Sequence, residues 1–245
     1  MEGEMQSLRI GTSGWTYNHW LGVFYPEDLP KSRWLEHYCR HFDTVEINCS
    51  FYRLPREATF SNWRKRAPEG FIFAVKASRY ITHVKRLSEI EESLELFLSR
   101  AELLGEKLGP ILFQLPPRFK ADPERLERLL SLLPEGLKAA FEFRDESWFR
   151  REIYELLERH NAALCIADSP KFPKAFEVTA DFSYFRLHGS KKLYASRYTR
   201  EELEGWASII REHLRSGLDV YVYFDNDAFG YAVENALELK GMLEG

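Results

Sequence analysis

Cysteine, the side-chain amides and long apolar runs are all scarce in this 245-residue sequence. The three cysteines, Cys39, Cys49 and Cys165, lie far apart and form no Cys-x-x-Cys pair. An odd, scattered set argues against a disulfide framework, and the thiols read as small buried hydrophobes. No apolar stretch reaches the roughly 18 residues of a membrane span, so no membrane partner is expected. Met1 to Ser7 is polar, with no apolar core before a cleavage site. It reads as no signal peptide, and the expected compartment is the cytoplasm. Gly-x-Ser-x-Gly is absent, which disfavours a serine nucleophile elbow. The Gly11–Gly14 segment lacks the Walker A ending and the Gly-x-Gly-x-x-Gly spacing. Positive charge is not in excess: the net charge of −4 speaks against a globally basic nucleic-acid binder.

Glutamine occurs only at Gln6 and Gln114, and asparagine six times, beside abundant Glu, Lys and Arg. Proteins from hot environments have such a composition, because amides are thermolabile. An amide kept in such a chain invites the question of its task. Asn48, Gln114 and Asn226 all fall at the ends of strand candidates.

What is present is a cadence of short β-rich runs alternating with helical patterns. The runs are Leu8–Thr12, Thr44–Asn48, Phe71–Lys76, Ile111–Gln114, Ala139–Phe143, Ala162–Ala167, Tyr184–His188 and Val220–Phe224. Most are nearly continuous apolar stretches, as in parallel strands buried on both faces. Ser88 with Glu91 reads as a capping box opening a helix whose apolar positions are Ile90, Leu94, Phe97, Leu98 and Ala101. Asp122-Pro123 reads as an N-cap and first turn, and Thr199 with Glu202 as a second capping box. That helix carries Leu203, Trp206, Ile210 and Leu214 on one face and stops near Gly217. The last helix is expected from about Ala228. Eight strand–helix units over this length predict an α/β fold, a single (β/α)8 TIM-type barrel spanning residues 1–245, with a doubly wound open sheet as the alternative.

Barrel enzymes draw their catalytic groups from the C-terminal ends of strands. Here those ends carry Glu46, Asn48, Lys76, Gln114, Glu142, Arg144, Asp168, Arg186, His188 and Asp225-Asn226-Asp227. Alternation matters. Val45 and Ile47, Phe141 and Phe143, Phe185 and Leu187 suit the helix-facing side. Glu46, Glu142, Arg144, Arg186 and His188 would then point inward. Burying that many charges is costly unless they pair or face a solvated site.

Seven stretches carry a resemblance: IGTSGW (10–15), TVEINCSFY (44–52), FAVKASRYITH (73–83), FQLPP (113–117), FEFRDESW (141–148), YFRLHGS (184–190) and YFDNDAFGYAVENA (223–236). In order and across nearly the whole chain, they resemble the domain of unknown function 72 family. The resemblance implies a TIM-type barrel similar in fold to the endonuclease IV and xylose isomerase group, and it implies no particular reaction. Two positions depart from the family pattern: Asp145 stands in the place of a His, and Asp225 in that of an Asn.

The functional expectation is an enzyme, a hydrolase or an isomerase or lyase, acting on a small anionic, phosphate-bearing substrate: a sugar phosphate, a nucleotide or a nucleic-acid end. Glu46, Lys76, Glu142 and His188 are the expected catalytic set, with the carboxylates and the lysine tuned by burial. Trp15, Asn48, Tyr52, Gln114, Arg144, Trp148, Asp168, Arg186 and Asn226 are the expected substrate contacts, with Trp15 brought over the mouth by the Gly11–Gly14 turn. No cofactor is expected. Mg²⁺ or Mn²⁺ held by Glu46, Glu142, Asp168, His188 and Asp225 stays open as a metal-dependent phosphodiester hydrolase. So does a non-catalytic nucleic-acid-binding module using the basic, tyrosine-bearing loop 189–200. Protein partners and oligomeric state are not legible.

Overall fold

The computed structural model describes residues 6–244, so most of the polar N-terminal stretch, Met1–Met5, and Gly245 lie outside the described residues. The eight expected strands form: β1 (Leu8–Thr12), β2 (Thr44–Ile47), β3 (Ile72–Lys76), β4 (Leu108–Gln114), β5 (Ala139–Glu142), β6 (Ala163–Asp168), β7 (Phe182–Leu187) and β8 (Asp219–Phe224). They make one parallel sheet in the order β1-β8-β7-β6-β5-β4-β3-β2. The sheet curls into a nearly closed barrel surrounded by helices, a single (β/α)8 fold. The helices are α1 (Trp34–Tyr38), α2 (Cys49–Tyr52), α3 (Glu57–Arg66), α4 (Glu91–Ala101), α5 (Pro123–Leu132), α6 (Arg151–Arg159), α7 (Arg200–Arg215) and α8 (Tyr231–Glu244). Among them, no helix of the described residues is long and apolar enough to cross a membrane.

Strand parity sorts the side chains as period 2 requires. Val45, Ile47, Phe73, Val75, Phe113, Phe141, Phe185 and Val222 join the large core under the helices. Ala74, Leu112, Ala140, Cys165, Tyr184, Tyr221 and Tyr223 fill the barrel interior as a second core. The interior is therefore packed below the mouth. Cys165 is buried as expected, but Cys39 is only half-buried and Cys49 is exposed.

Caps follow local chemistry in two of three places. The Asp122 side chain accepts from the Arg125 amide at 3.1 Å, and the reciprocal Thr199–Glu202 box is formed. The Ser88–Glu91 box is not: α4 starts at Glu91 behind Ile90, with no side-chain cap. Ser88 instead lies in a turn where Arg86, Leu87 and Glu89 all have positive φ. The burial of Leu87 and Ile90 sets that backbone path and overrides the local motif. The last helix likewise begins at Tyr231 rather than Ala228. No helix follows β6. Residues 169–181 contain Pro170 and Pro173, which restrict the backbone and remove amide donors.

The sheet ends at β1 and β2, and the seam between them is closed by a different device. The Tyr38 hydroxyl accepts from the Thr12 amide at 2.9 Å and donates to the Thr44 carbonyl at 3.1 Å. Ser13 bridges to Glu46 one step further on. This approach requires a glycine at position 11, where a Cβ would fall 2.3 Å from the Thr44 carbonyl oxygen. Gly11→Ala is therefore expected to destabilise the fold by about 2–3 kcal/mol through forced separation of β1 and β2. Denaturant melts read this directly, and an unchanged midpoint would refute the closure argument.

Candidate active site

Inward parity along β7 presents Tyr184 and Arg186, and continues to His188 just beyond the strand. Arg186 is wholly buried. Its Nε and Nη2 grip the two oxygens of Glu46 at 3.0 and 2.8 Å. Its Nη1 reaches Glu142 at 2.5 Å. Nη2 also lies 3.2 Å from both Asp225 Oδ2 and Ser13 Oγ. One guanidinium thus ties β7 to side chains of β2 and β5 and to residues just past β1 and β8. Its planar fork suits this task, because it satisfies a carboxylate with two bonds and still has donors left.

The carboxylates are filled in turn. Ser13 Oγ and Tyr184 Oη each donate to Glu46 at 2.6 Å. Both Glu46 oxygens therefore take two hydrogen bonds. Glu142 accepts from Arg144 Nε at 2.7 Å and lies 3.3 Å from His188 Nε2. Burial favours its neutral form, but Arg144, Arg186 and His188 together outweigh that and hold the carboxyl well below the usual range. Asp225 is also held low: burial is opposed by Arg186 and by His188, whose Nδ1 is 3.0 Å away. Each ring nitrogen of His188 thus faces a carboxylate.

Two polar groups in the mouth stand outside this pairing. β3 ends in Lys76 and β4 in Gln114, on the same inward face as Ala74 and Leu112. Lys76 is 7% exposed and Gln114 4%. Among the described residues, neither side chain has a hydrogen bond or ion pair with the protein. The Lys76 ammonium lies over the Phe51 ring, 4.3 Å from its centroid. Burial, then Arg186, lower its pKa to about 8, and the nearby carboxylates only partly offset this. His83 meets the same ring edge-on with centroids 4.9 Å apart. Burial, then Lys76 and Arg144, push His83 down to about 4, so its imidazole is neutral at pH 7. Its Nδ1 contacts the Thr82 hydroxyl at 2.9 Å.

Of the residues singled out from sequence, Glu46, Lys76, Gln114, Glu142, Arg144, Arg186 and His188 meet at the mouth. Arg144 is also held by the Tyr194 hydroxyl at 3.1 Å and by the Phe172 ring. The others go elsewhere. Trp15 follows a tight turn at Gly14 as expected, yet packs against Trp63 and Phe73 on the helix side and does not cover the mouth. Trp15, Asn48 and Tyr52 line a separate cavity of about 350 Å³ with Lys31, Trp63 and Arg66. Trp148 is a core residue, stacked on Phe143 and donating to the Phe119 carbonyl. Asp168 pairs with Lys174 and accepts from Tyr198. Asn226 is buried and donates to the Ser196 carbonyl and to Asn235. Asp145 caps the turn at Ser147.

Of the two tyrosines in the loop after β7, one is buried and the other is partly exposed. Tyr198 is buried against Asp168, and Tyr194 packs edge-on against His188. They anchor the loop and offer no pair of open stacking platforms. Ser13, Phe51, Tyr184 and Tyr194 were not among the expected catalytic residues and substrate contacts. Tyr184 shares the parity of Arg186 and could have been found from it. Phe51 could not, because its place under Lys76 depends on α2. Among the described residues, no three His, Cys, Asp or Glu side chains are grouped to hold a metal ion. The oxygens of Glu46, Glu142 and Asp225 converge on the Arg186 guanidinium, and Asp168 lies apart with Lys174.

Comparison with known proteins gives a consistent picture. A family model described as "Protein of unknown function DUF72" matches residues 9–245. The chain is 28% identical to UPF0759 protein YunF of Bacillus subtilis over 97% of its own length and 95% of that protein. It is 29% identical to UPF0759 protein YecE of Escherichia coli over 59% of its length and 51% of that protein. A crystal structure of a DUF72 family protein from Thermotoga maritima superposes with a TM-score of 0.89 at 34% identity, covering 98% of this chain and all of that one. One from Enterococcus faecalis gives 0.85 at 22% identity, covering 97% and 96% of the two chains, and supports the fold.

Two stability predictions follow from the charge pairing. Arg186→Met strands Glu46 and Glu142 without their shared partner and is expected to cost about 3–5 kcal/mol. Lys76→Met acts in the opposite direction. The Lys76 pKa is lowered from 10.5 to about 8 by folding, so between these values the unfolded chain binds more protons and stability rises with pH. Below pH 8 the wild type carries the full penalty. Lys76→Met is therefore expected to be more stable at pH 7 by roughly 1–3 kcal/mol, with the gain fading as pH approaches 10.5. Melting curves of both variants across pH 6–10 check the two signs.

Proposed function

Because the chain belongs to the DUF72 family, a family of proteins of unknown function, we propose from the site alone that the barrel mouth is the active centre of an enzyme acting on a small anionic substrate, a phosphate ester, sugar phosphate or carboxylate among them. The observation that carries this reading is Lys76. It is a buried cation without an acidic partner, in a mouth where the other buried charges are paired. A barrel that needed only filling would gain stability from a hydrophobe there. Groups kept at a cost in stability mark sites where a ligand supplies the missing interaction.

The roles divide by availability. Arg186 and Glu46 saturate each other, so Glu46 acts as the group that holds the guanidinium in place. Lys76 and, at the exposed rim, Arg79 provide positive charge with no ion pair among the described residues. Gln114 offers an amide donor and acceptor beside Lys76 and orients the substrate. Glu142 and His188, in contact at 3.3 Å with Asp225 behind the ring, hold and move the proton. Developing negative charge on the substrate is met by Lys76 and Arg144 in a site largely closed to water, where such interactions are strongest.

Titration calorimetry with inorganic phosphate, glycerol 3-phosphate and lactate is the test. Wild-type protein is expected to bind at least one of these anions, and Lys76→Met to lose about tenfold or more in affinity, the scale of one unscreened charge contact. Equal binding by the two proteins, or none by either, would sink the reading.

A further inference from the structure

The mouth holds one nitrogen whose lone pair nothing in the protein occupies. Lys76 Nζ rests on the Phe51 ring at 4.3 Å, and among the described residues it has no acceptor and no carboxylate in contact. The arginine and histidine nitrogens of the cluster are spoken for: Arg186 and Arg144 by carboxylates, and His188 on both sides. An amine placed this way is poorly stabilised as an ammonium. Burial and the Arg186 charge both act to release its proton. The same two causes, an apolar pocket and a neighbouring cation, activate lysines as nucleophiles.

Resting on the anionic-substrate reading above, we infer that the substrate also carries an aldehyde or ketone, and that Lys76 captures it as an imine. The neutral amine adds to the carbonyl carbon, and the oxygen takes a proton to give a carbinolamine. Loss of that oxygen as water leaves the C=N bond to Nζ, with no net oxidation or reduction. Protonated, the imine draws electrons from the bond to the adjacent carbon, and a proton or carbon fragment leaves there. Arg79, at the rim and without an ion pair, takes the anionic group, which frees Lys76 for the carbonyl. His83 is the neutral imidazole on the same Phe51 ring, placed to pass protons during dehydration. Gln114 lies at the end of the adjacent strand, where its amide can hold the departing oxygen. The same neutral imidazole of His83 accepts the proton from carbon.

The test is reductive trapping. The whole protein is incubated with dihydroxyacetone phosphate, pyruvate or glyoxylate, sodium cyanoborohydride is added, and the adduct is located by intact mass and peptide mapping. Matched anions without a carbonyl, glycerol 3-phosphate and lactate, are titrated in parallel. The expected result is a single adduct on Lys76 with at least one probe, forming about tenfold or more faster than on surface lysines. Lys76→Arg should lose the adduct, since a guanidinium forms no imine under these conditions, and circular dichroism checks that the variant is folded. If glycerol 3-phosphate or lactate binds but Lys76 is labelled no faster than surface lysines, the imine is wrong and the anion-binding reading stands. If neither binding nor selective labelling occurs, both fall.

Discussion

The buried guanidinium of Arg186 is the constraint on which the mouth depends. It binds Glu46, Glu142, Asp225 and Ser13 at once, joining residues at the ends of five different strands. Taking such charges out of water is expensive, and the expense is recovered only when geometry is good and every lone pair is used. The saturation of Glu46 by Arg186, Ser13 and Tyr184 meets that condition. A lysine could not replace the arginine, since a single ammonium lacks the donors to reach three carboxylates in a plane.

Once Arg186 takes these carboxylates, it decides what remains for Lys76. The carboxylates near enough to neutralise a second cation already face the guanidinium. Lys76 is left on the aromatic face of Phe51, desolvated and repelled by Arg186. Structural pairing and chemical availability are therefore two results of one arrangement. The well-paired network makes a rigid floor, and the unpaired lysine and Gln114 stand beside it, unused by the protein. Rigid support under a few reactive groups is what a preorganised site requires. The loops complete the frame: Tyr194 braces Arg144 and His188, while Tyr198, Asn226 and Asn235 fasten the segment that carries Tyr194.

The fold was legible in the sequence because its signals are local. Apolar runs of strand length, helical spacing between them and turn residues at their ends depend on near neighbours alone, and they located all eight strands. Parity along each strand also showed that Glu46, Glu142, Arg186 and His188 share the interior, since side chains alternate whatever the strand's partners. The one failed cap, at Ser88, shows the limit: burial of Leu87 and Ile90 outbid a local motif of about 1 kcal/mol.

Tertiary structure alone decided which inward groups satisfy one another and which are left free. That depends on the stagger of neighbouring strands and on the paths of loops, which bring together residues more than a hundred positions apart. Trp15 and Trp148, read as mouth residues, turned to the helix-side core because their loops leave the barrel rim on that side. Phe51 came under Lys76 because α2 carries it there. Sequence fixes the period of a strand, but the pairing of a buried charge is settled by distances across the barrel.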